Sequence, residues 1–434
     1  MVWFKRTTGA DTIIIMGRRM PGICIIGGNT MELSEIIFRD KQFFMNTFGD
    51  RTPVAFEYGK GMYLFTKDNK QYLDFLGGIA VSALGHSHPL LVDAITEQAR
   101  RLIHCSSLYY IENQANLAKK ICRSSCANKV FFSNSGAEAN EGAIKLARLY
   151  HRKKGNDDRY EIITLENSFH GRTLATIAAT GQPKYKKPFS PLTPKFKSVP
   201  INDLQALKDA VDEHTCAIML EPIQGESGVN PATYDYIKGV RSLCFANDII
   251  LIFDEVQCGM GRTGKMFGYE HFDVKPDIFT LAKALGGGFP IGAVCAQDYV
   301  ARYFEPGDHG STFGGNPLAC AAGLAVFRAF EEESLVENSD YMGKYLIGNL
   351  NGLKMRYDII KEVRGSGLMI GIEFNKEIAV DIKNKMFERN ILVGNVKSSI
   401  IRLLPPLIVK KKHVDLFCDA LEDMLEEISA GDSE

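Results

Sequence analysis

Two acidic residues, a glutamine and a lysine follow two short apolar segments between residues 248 and 288 of the chain. The first segment, residues 249–253, contains only Ile, Leu and Phe, which predicts a strand that is buried on both faces of a parallel sheet. It leads directly into Asp254-Glu255-Val256-Gln257. Because ligands of open α/β sheets bind at the carboxyl ends of strands, Asp254 is a candidate functional residue.

The second apolar segment, residues 277–282, leads to Lys283, which is followed by Ala-Leu and three glycines. Partial desolvation lowers the pKa of a lysine, and the neutral amine is a nucleophile toward carbonyls. A single Asp or Lys is usually a solvated surface group, but Asp254 and Lys283 at two strand ends together indicate a site. The nearby Gly259-Met-Gly-Arg-Thr-Gly264 matches the dinucleotide fingerprint, yet it neither leaves a strand directly nor opens a long helix, so we discount that match.

Two upstream turns carry further groups that could bind a ligand. Residues 129–133 predict a strand that runs into Ser-Gly-Ala at a helix start, where backbone N–H groups and the Ser135 hydroxyl suit an anion such as phosphate. The same residues are also ordinary helix caps. After a strand at residues 161–165, Phe169 offers a flat aromatic face, and the Arg172 guanidinium suits a carboxylate.

The segments that position these groups alternate in type along the chain. Apolar strands that end in polar, glycine-containing turns are separated by helical stretches, which predicts a parallel α/β sheet with the site along one rim. Past Pro317 a helical pattern leads to predicted strands at residues 362–374 and 400–409 and to a closing amphipathic helix. We predict a dispensable extension (residues 1–30), an N-terminal segment (31–75), a large domain (76–330) and a small C-terminal domain (331–434).

Composition excludes several classes of function. The 434 residues are 45% hydrophobic and 24% charged with a net charge of −1, so there is no bulk electrostatic case for nucleic acid or an anionic membrane. No apolar run reaches membrane-spanning length. The ten cysteines lack zinc spacing, which indicates reduced thiols in the cytoplasm. His86 and His88 could ligate a metal but have no evident third ligand, so we expect no metal site.

Taken in order, these segments resemble the class III aminotransferases of the aspartate-aminotransferase fold, and among them the acetylornithine aminotransferases. The resemblance covers the chain from about residue 40 onward. Its motifs are Asn134-Ser-Gly-Ala-Glu-Ala-Asn140, Phe169-His-Gly-Arg-Thr173, Glu221-Pro-Ile-Gln-Gly-Glu226, Asp254-Glu-Val-Gln-Cys-Gly-Met-Gly-Arg-Thr-Gly264, Lys283-Ala-Leu-Gly-Gly-Gly288 and Gly310-Ser-Thr-Phe-Gly-Gly-Asn-Pro317. The fold implied is α/β, with a large domain built on a mostly parallel sheet with helices on both faces and a smaller α+β C-terminal domain.

The resemblance also implies a cofactor, pyridoxal 5′-phosphate, and a homodimer with shared active sites. Lys283 would bind the cofactor covalently and move the proton at the substrate Cα, while Asp254 would keep the pyridine nitrogen protonated so that the ring withdraws electrons. The other cofactor-binding residues implied are Ser135, Gly136 and Ala137 at the phosphate, Phe169 on the ring, Gln257 at the phenolic oxygen, and Thr312 at the phosphate of the neighbouring subunit.

For the substrates, the resemblance implies that Arg172 binds a carboxylate of the amino-acid substrate and that Arg402 binds the α-carboxylate of 2-oxoglutarate. Glu226 would pair with Arg402 while the amino donor is bound. One departure is Ser227, where many relatives have glycine. The implied reaction moves the δ-amino group of N2-acetyl-L-ornithine to 2-oxoglutarate, giving N-acetyl-L-glutamate 5-semialdehyde and L-glutamate in arginine biosynthesis.

Two alternatives remain open at this stage. One is a related ω-aminotransferase that acts on succinylornithine, succinyl-diaminopimelate, acetyl-lysine or 4-aminobutyrate. The other is an aminomutase of the same fold, which needs no oxoacid. The presence of Arg402 together with Glu226 argues against the aminomutase.

Overall fold

The computed structural model describes residues 31–431, and the extension predicted for residues 1–30 lies outside the described residues. The described chain divides after Ala55 into two units. The first contains helix α1 (Leu33–Phe43), none of whose side chains is fully buried. The second unit begins at Phe56 and contains every residue predicted for the site.

The helices of the second unit range from single turns to helices of more than twenty residues. They are α2 (Gly77–Ala80), α3 (Pro89–Arg101), α4 (Glu112–Ser124), α5 (Gly136–Lys153), α6 (Leu174–Ala179), α7 (Pro183–Lys186), α8 (Leu204–Ala210), α9 (Tyr234–Ala246), α10 (Asp298–Ala301), α11 (Pro317–Glu332), α12 (Leu335–Arg356), α13 (Ala379–Glu388) and α14 (Lys411–Gly431). Short 3-10 turns lie at Lys187–Phe189, Gly268–Phe272 and Lys283–Gly286.

The largest sheet has seven strands in the spatial order β4-β12-β11-β10-β7-β5-β6. These strands are β4 (Lys129–Ser133), β5 (Glu161–Leu165), β6 (Phe196–Val199), β7 (Thr215–Leu220), β10 (Ile250–Asp254), β11 (Ile278–Leu281) and β12 (Gly292–Ala296). All pairings are parallel except those that β12 makes with β11 and β4. The mostly parallel sheet predicted from the sequence is therefore confirmed.

Strand β10 shows why the uninterrupted apolar runs predict buried strands. All five of its residues are buried. Leu251 and Phe253 face a core cluster that includes residues of α3, α4, α9 and α11, whereas Ile250 and Ile252 face a second cluster that includes α5. Because successive side chains of a strand point to opposite faces, a strand covered by helices on both sides is apolar along its length, and in β10 only the terminal Asp254 is polar.

The remaining sheets are smaller and mostly antiparallel. One has the order β13-β14-β17-β16 and another the order β1-β2-β3-β15, while β8 and β9 form a two-stranded pair. These strands are β1 (Phe56–Lys60), β2 (Tyr63–Thr66), β3 (Gln71–Asp74), β8 (Ile223–Gln224), β9 (Asn230–Pro231), β13 (Ile360–Ser366), β14 (Met369–Phe374), β15 (Ile391–Leu392), β16 (Gly394–Val396) and β17 (Ile400–Leu403). The smaller α+β part of the predicted fold class is thereby also confirmed, and the domain boundaries stay a prediction.

Two strands predicted near the C-terminus are shorter than expected. The segment 362–374 is a hairpin of β13 and β14, because Gly367 with φ +52° allows a tight turn between them. The segment 400–409 ends as a strand at Leu403. Pro405 and Pro406 follow almost at once, and proline has no N–H to continue the pairing.

Between residues 31 and 431, the structure contains no helix that is both long and apolar enough to cross a membrane.

Candidate active site

A cavity of about 440 Å³ opens where β4, β5, β7, β10 and β11 end. The predicted residues that line it are Ser135, Gly136, Ala137, Phe169, Arg172, Glu226, Asp254, Gln257 and Lys283. Asp254 pairs with Thr280 across the parallel strands β10 and β11, and Lys283 lies two residues after the end of β11. Neighbouring parallel strands thus deliver the carboxylate and the amine to the same edge of the sheet.

Lys283 has an unusual backbone conformation for a lysine. Its φ is +46°, in the left-handed region that disfavours residues with a Cβ by about 1–2 kcal/mol. Strain of this kind is typical of functional sites. Burial lowers the pKa of the Lys283 amine, against the opposing influence of the Glu226 charge, so the amine loses its proton more readily than an exposed lysine does.

Asp254 is held by a buried network that the sequence did not reveal. Asn140 Nδ2 donates to Asp254 Oδ2 at 2.8 Å, and His170 Nδ1 lies 2.8 Å from the same oxygen. The Val256 N–H donates to Oδ1 at 3.0 Å, and Thr280 Oγ1 donates to Asn140 Oδ1 at 2.7 Å. Asn140 ends the Asn134–Asn140 motif and His170 lies inside the Phe169–Thr173 motif, and that membership is the signal that could have identified them.

The other half of the predicted acid pair does not belong to the site. Glu255 accepts hydrogen bonds from the N–H groups of Gly268 at 2.6 Å and Tyr269 at 2.7 Å, and it does not line the cavity. Burial raises the pKa of Glu255 to about 8. Since successive residues at the end of a strand point in opposite directions, Asp254 and Glu255 cannot both face the cavity.

The aromatic side of the cavity is fixed by Glu221. Its Oε2 accepts a hydrogen bond from the Phe169 N–H at 3.0 Å. Burial, followed by the nearby charge of Asp254, raises the pKa of Glu221. The exposed Arg172 guanidinium lies 4.2 Å from the ring centre of Tyr185 and 5.6 Å from that of Phe169, which are cation–π distances.

At another end of the cavity, α5 begins with the backbone N–H groups and the Ser135 hydroxyl that are predicted to bind an anion. Ser135 is the N-cap, and its Oγ accepts from the Glu138 N–H at 3.2 Å. The N–H groups of Gly136 and Ala137 precede the first hydrogen bond inside the helix, which Ala139 donates to Ser135. A Cβ on Gly136 would lie 2.8 Å from a Val256 methyl carbon, so only glycine fits against this wall.

Arg402 on β17 reaches the cavity through Glu226 and Gln257. Its Nη1 donates to Glu226 Oε1 at 2.7 Å and to the Gly225 carbonyl at 3.0 Å, and Gln257 Nε2 donates to the same Glu226 oxygen at 3.0 Å. Burial would raise the pKa of Glu226, but the charges of Arg402 and Lys283 outweigh it and hold that pKa below its usual value. Glu226 is thus an ionised counter-ion of Arg402.

Thr312 is the predicted residue that stands apart. It is exposed and does not line the cavity of its own chain. Its neighbour Ser311 accepts a hydrogen bond from Asn134 Nδ2 at 3.3 Å, which links this loop to the start of α5.

In the part of the chain that the structure describes, no group of three or more His, Cys, Asp and Glu is placed to hold a metal ion. His86 and His88 instead face separate carboxylates, those of Asp74 and Glu333, each at 2.8 Å.

The chemistry of the cavity suits an organic cofactor with a phosphate, a carbonyl and a ring nitrogen. The free N–H groups at α5 match a phosphate, Phe169 matches a flat ring, and Asp254 matches a protonated ring nitrogen. The Lys283 amine is the partner for a carbonyl.

Comparison with known proteins agrees with this geometry. The family model for class III aminotransferases matches residues 44–425, and the chain therefore belongs to the class III aminotransferases. Such enzymes depend on pyridoxal 5′-phosphate, and the residues just described fit that cofactor. A solved ornithine aminotransferase from Toxoplasma gondii, whose active site carries the cofactor at partial occupancy, superposes with a TM-score of 0.88 at 30% identity over 92% of this chain and 96% of its own.

Among curated relatives, the acetylornithine aminotransferase of Caldanaerobacter subterraneus is 52% identical over 91% of this chain and 100% of its own length. That of Methanocaldococcus jannaschii is 52% identical over 90% of this chain and 97% of its own.

Proposed function

We propose that this aminotransferase moves the δ-amino group of N2-acetyl-L-ornithine to 2-oxoglutarate, a step of arginine biosynthesis. The observation that carries the proposal is the ion pair between the buried Arg402 and Glu226, which lines the same cavity as Lys283. The guanidinium is neutralised while the pair is closed and can bind a substrate carboxylate when Glu226 moves aside, so one pocket can accept two different substrates. The relatives' names support N-acetylornithine as the donor.

When bound, pyridoxal 5′-phosphate supplies a carbonyl that reacts with amines and a ring that withdraws electrons from the substrate Cα or Cδ. Ser135, Gly136 and Ala137 would hold its phosphate and Phe169 its ring. Lys283 acts as the base and acid that removes a proton from the amine-bearing carbon of the donor and later returns one to the acceptor. Its burial lowers the pKa of the amine, toward the neutral form that this role requires.

Asp254 orients and stabilises the protonated ring nitrogen through its carboxylate. Asn140 and His170 fix that carboxylate from the protein side with two contacts of 2.8 Å. They thereby restrict the carboxylate to one orientation, a preorganised arrangement that needs no adjustment during the reaction.

Arg402 and Glu226 let one pocket accept two different substrates. With N-acetylornithine bound, Glu226 neutralises Arg402, because the Cδ that carries the reacting amine has no carboxylate for the guanidinium to bind. With 2-oxoglutarate bound, Glu226 moves away and the guanidinium receives the α-carboxylate in a charge-assisted contact. Arg172 at the mouth remains available for the other carboxylate in both states.

A substrate panel tests this function. Purified enzyme loaded with pyridoxal 5′-phosphate is given 2-oxoglutarate with N-acetylornithine, succinylornithine, ornithine, acetyl-lysine or 4-aminobutyrate. We expect the highest kcat/KM for N-acetylornithine. A higher kcat/KM for another amine would mean that this amine, and not N-acetylornithine, is the donor. Turnover without any oxoacid would indicate an aminomutase.

The homodimer implied by the resemblance also stays part of the proposal. Leu108, Tyr109 and Tyr110 are strongly exposed, and the ring of His104 lies 5.4 Å from that of the exposed Phe313, which joins this segment to the loop of Thr312. Exposed apolar patches of this kind mark protein interfaces. Light scattering should give twice the chain mass, and Tyr110→Glu should shift the enzyme toward monomer with loss of activity.

A cytoplasmic location, as expected from the free cysteines, suits an enzyme whose proposed substrates are small soluble metabolites.

A further inference from the structure

Arg262 belongs to the Gly259–Gly264 loop, whose resemblance to the dinucleotide fingerprint is discounted by its context and which has no part in the proposed mechanism. Its side chain is 1% exposed and is the largest fully buried side chain among the described residues. Burial lowers its pKa to about 9, so the guanidinium is still charged at neutral pH. Within residues 31–431 it forms no ion pair, the charge that partly opposes the effect of burial is that of Asp74, and its Nε and Nη2 have no hydrogen-bond partner.

All the hydrogen bonds of the Arg262 side chain go to two carbonyl groups. Nη1 donates to Leu368 in the turn between β13 and β14, at 3.1 Å, and to Pro405 just after β17. The main chain adds to this contact, because the Arg262 carbonyl accepts from the Leu368 N–H at 3.0 Å and from Ser339 Oγ at 3.1 Å. Burying a charge with so few partners is unfavourable for folding. The contacts that Arg262 makes between separate segments of the chain are what offsets this cost.

The two elements that Arg262 joins are those that place Arg402. Arg402 lies on β17, three residues before Pro405, and it is paired with Gly371 of β14. On the other side, Arg262 follows Gln257 by five residues in the loop that leaves β10 after Asp254. Arg262 therefore connects the strand of Arg402 to the loop of Gln257 independently of the side-chain contacts inside the cavity.

Arg262 holds the end of the strand that carries Arg402, whereas Glu226 holds the Arg402 side chain through the ion pair. That ion pair must open when 2-oxoglutarate enters. At that moment Arg402 exchanges one carboxylate for another, and its backbone must stay in place for the exchange to be productive. We propose that Arg262 is a positioning residue that holds the end of β17 against the 254–262 loop, so that Arg402 keeps its place when Glu226 releases it. The inference rests on the proposed function of Arg402 and Glu226.

The test compares the two half-reactions in Arg262→Lys and Arg262→Met by rapid mixing. We expect the apparent Kd for 2-oxoglutarate to rise at least about tenfold, as for the loss of a charged hydrogen bond, with less than about threefold change for N-acetylornithine. Lys should retain part of the affinity because it keeps the charge and one donor. Calorimetry with glutarate, which carries both carboxylates but no oxo group, should show the same weakening without any turnover.

A double-mutant cycle shows whether Arg262 acts through Arg402. In an Arg402→Ala background, Arg262→Met should change glutarate affinity by less than about twofold, because the group that it positions is already absent. Additive losses would overturn the proposal. Val300→Ala, in the second core cluster, which includes no residue of the Gly259–Gly264 loop or of β17, serves as the control for general destabilisation and should affect both half-reactions alike.

Two further outcomes are distinguishable. If neither Arg262 variant folds, Ser339→Ala removes one contact to the same residue, and an unchanged ratio of the two half-reactions would overturn the proposal. If the unmodified enzyme does not convert N-acetylornithine, the proposed function fails. Equal losses in both half-reactions of an Arg262 variant, in an enzyme that converts both substrates, would reject the positioning role alone.

Discussion

Glu226 Oε1 lies 2.7 Å from Arg402 Nη1, and this ion pair is almost fully shielded from solvent on the arginine side. Breaking a buried charged pair by removing one partner leaves the other uncompensated. Each partner should therefore have its own kinetic signature, which makes the pair the most informative place to test the mechanism.

Arg402→Ala should weaken the reaction of 2-oxoglutarate far more than that of N-acetylornithine. Truncating one partner of a buried charged contact costs about 2–5 kcal/mol, and only the oxoacid places a carboxylate there. Single-turnover spectra of the two half-reactions measure the difference. Equal losses would mean that Arg402 supports the fold or the cofactor and not the acceptor.

Glu226→Ala should shift the preference between donors. Without the carboxylate, Arg402 stays charged and open, which favours glutamate over N-acetylornithine as the amine donor. The measured quantity is the ratio of kcat/KM for the two donors, and we expect it to move toward glutamate by about tenfold or more. The control is Glu362→Ala, which changes an exposed glutamate outside the cavity. If Glu226→Ala has the same donor ratio as the unmodified enzyme, Glu226 does not control the choice between donors.

Lys283→Ala should reduce turnover by at least about 10²–10⁴-fold, because the proton-transfer group at the substrate carbon is lost. Lys186→Ala changes another half-buried lysine, which does not line the cavity, and should retain activity. Borohydride treatment followed by peptide mapping identifies the lysine that binds the cofactor. Label on any other lysine would disprove the assignment.

His170→Phe should lower turnover while leaving the fold intact. The substitution removes the contact to Asp254 Oδ2, and a hydrogen bond to a charged group contributes about 1.5–3 kcal/mol, so a loss of roughly tenfold or more is expected. Asp254→Ala should lose more activity, since it removes the carboxylate itself. His214→Phe, at a partly exposed histidine outside the cavity, is the control, and turnover of His170→Phe equal to that of this control would exclude a role for His170.

Acid should destabilise the enzyme partly through His151, which is fully buried with Nε2 3.0 Å from the Cys216 carbonyl. Burial lowers the pKa of His151 to about 4 in the folded state, against about 6.5 when unfolded. The unfolded chain binds the proton more readily, so this stability is present above about pH 6.5 and is lost as the pH falls toward 4, by up to about 3 kcal/mol. In His151→Gln, Tm should fall less steeply between pH 6.5 and 4; an unchanged slope would assign acid sensitivity to other groups, such as His413.

The sequence predicts the parts of this enzyme that depend on local pattern. Apolar runs predict β10 and its neighbours, and parallel strands bring Asp254 and Lys283 to one edge, so their proximity follows from the pattern. Asn140 is different, because its contact with Asp254 joins residues 114 positions apart and depends on how α5 packs against the sheet. The burial of Arg262 also escapes sequence analysis, since an arginine in a glycine-rich loop is typical of a solvated turn.

The backbone of Lys283 carries a consequence for how this family of sequences diverges. A residue with φ +46° is strained unless it is glycine, and the amine is held in a site that disfavours its charge. A duplicated gene that is no longer selected for transamination would thus have a stabilising substitution open to it at this one codon. Loss of the lysine should accumulate early in such copies, which would keep the fold while losing the proton-transfer group.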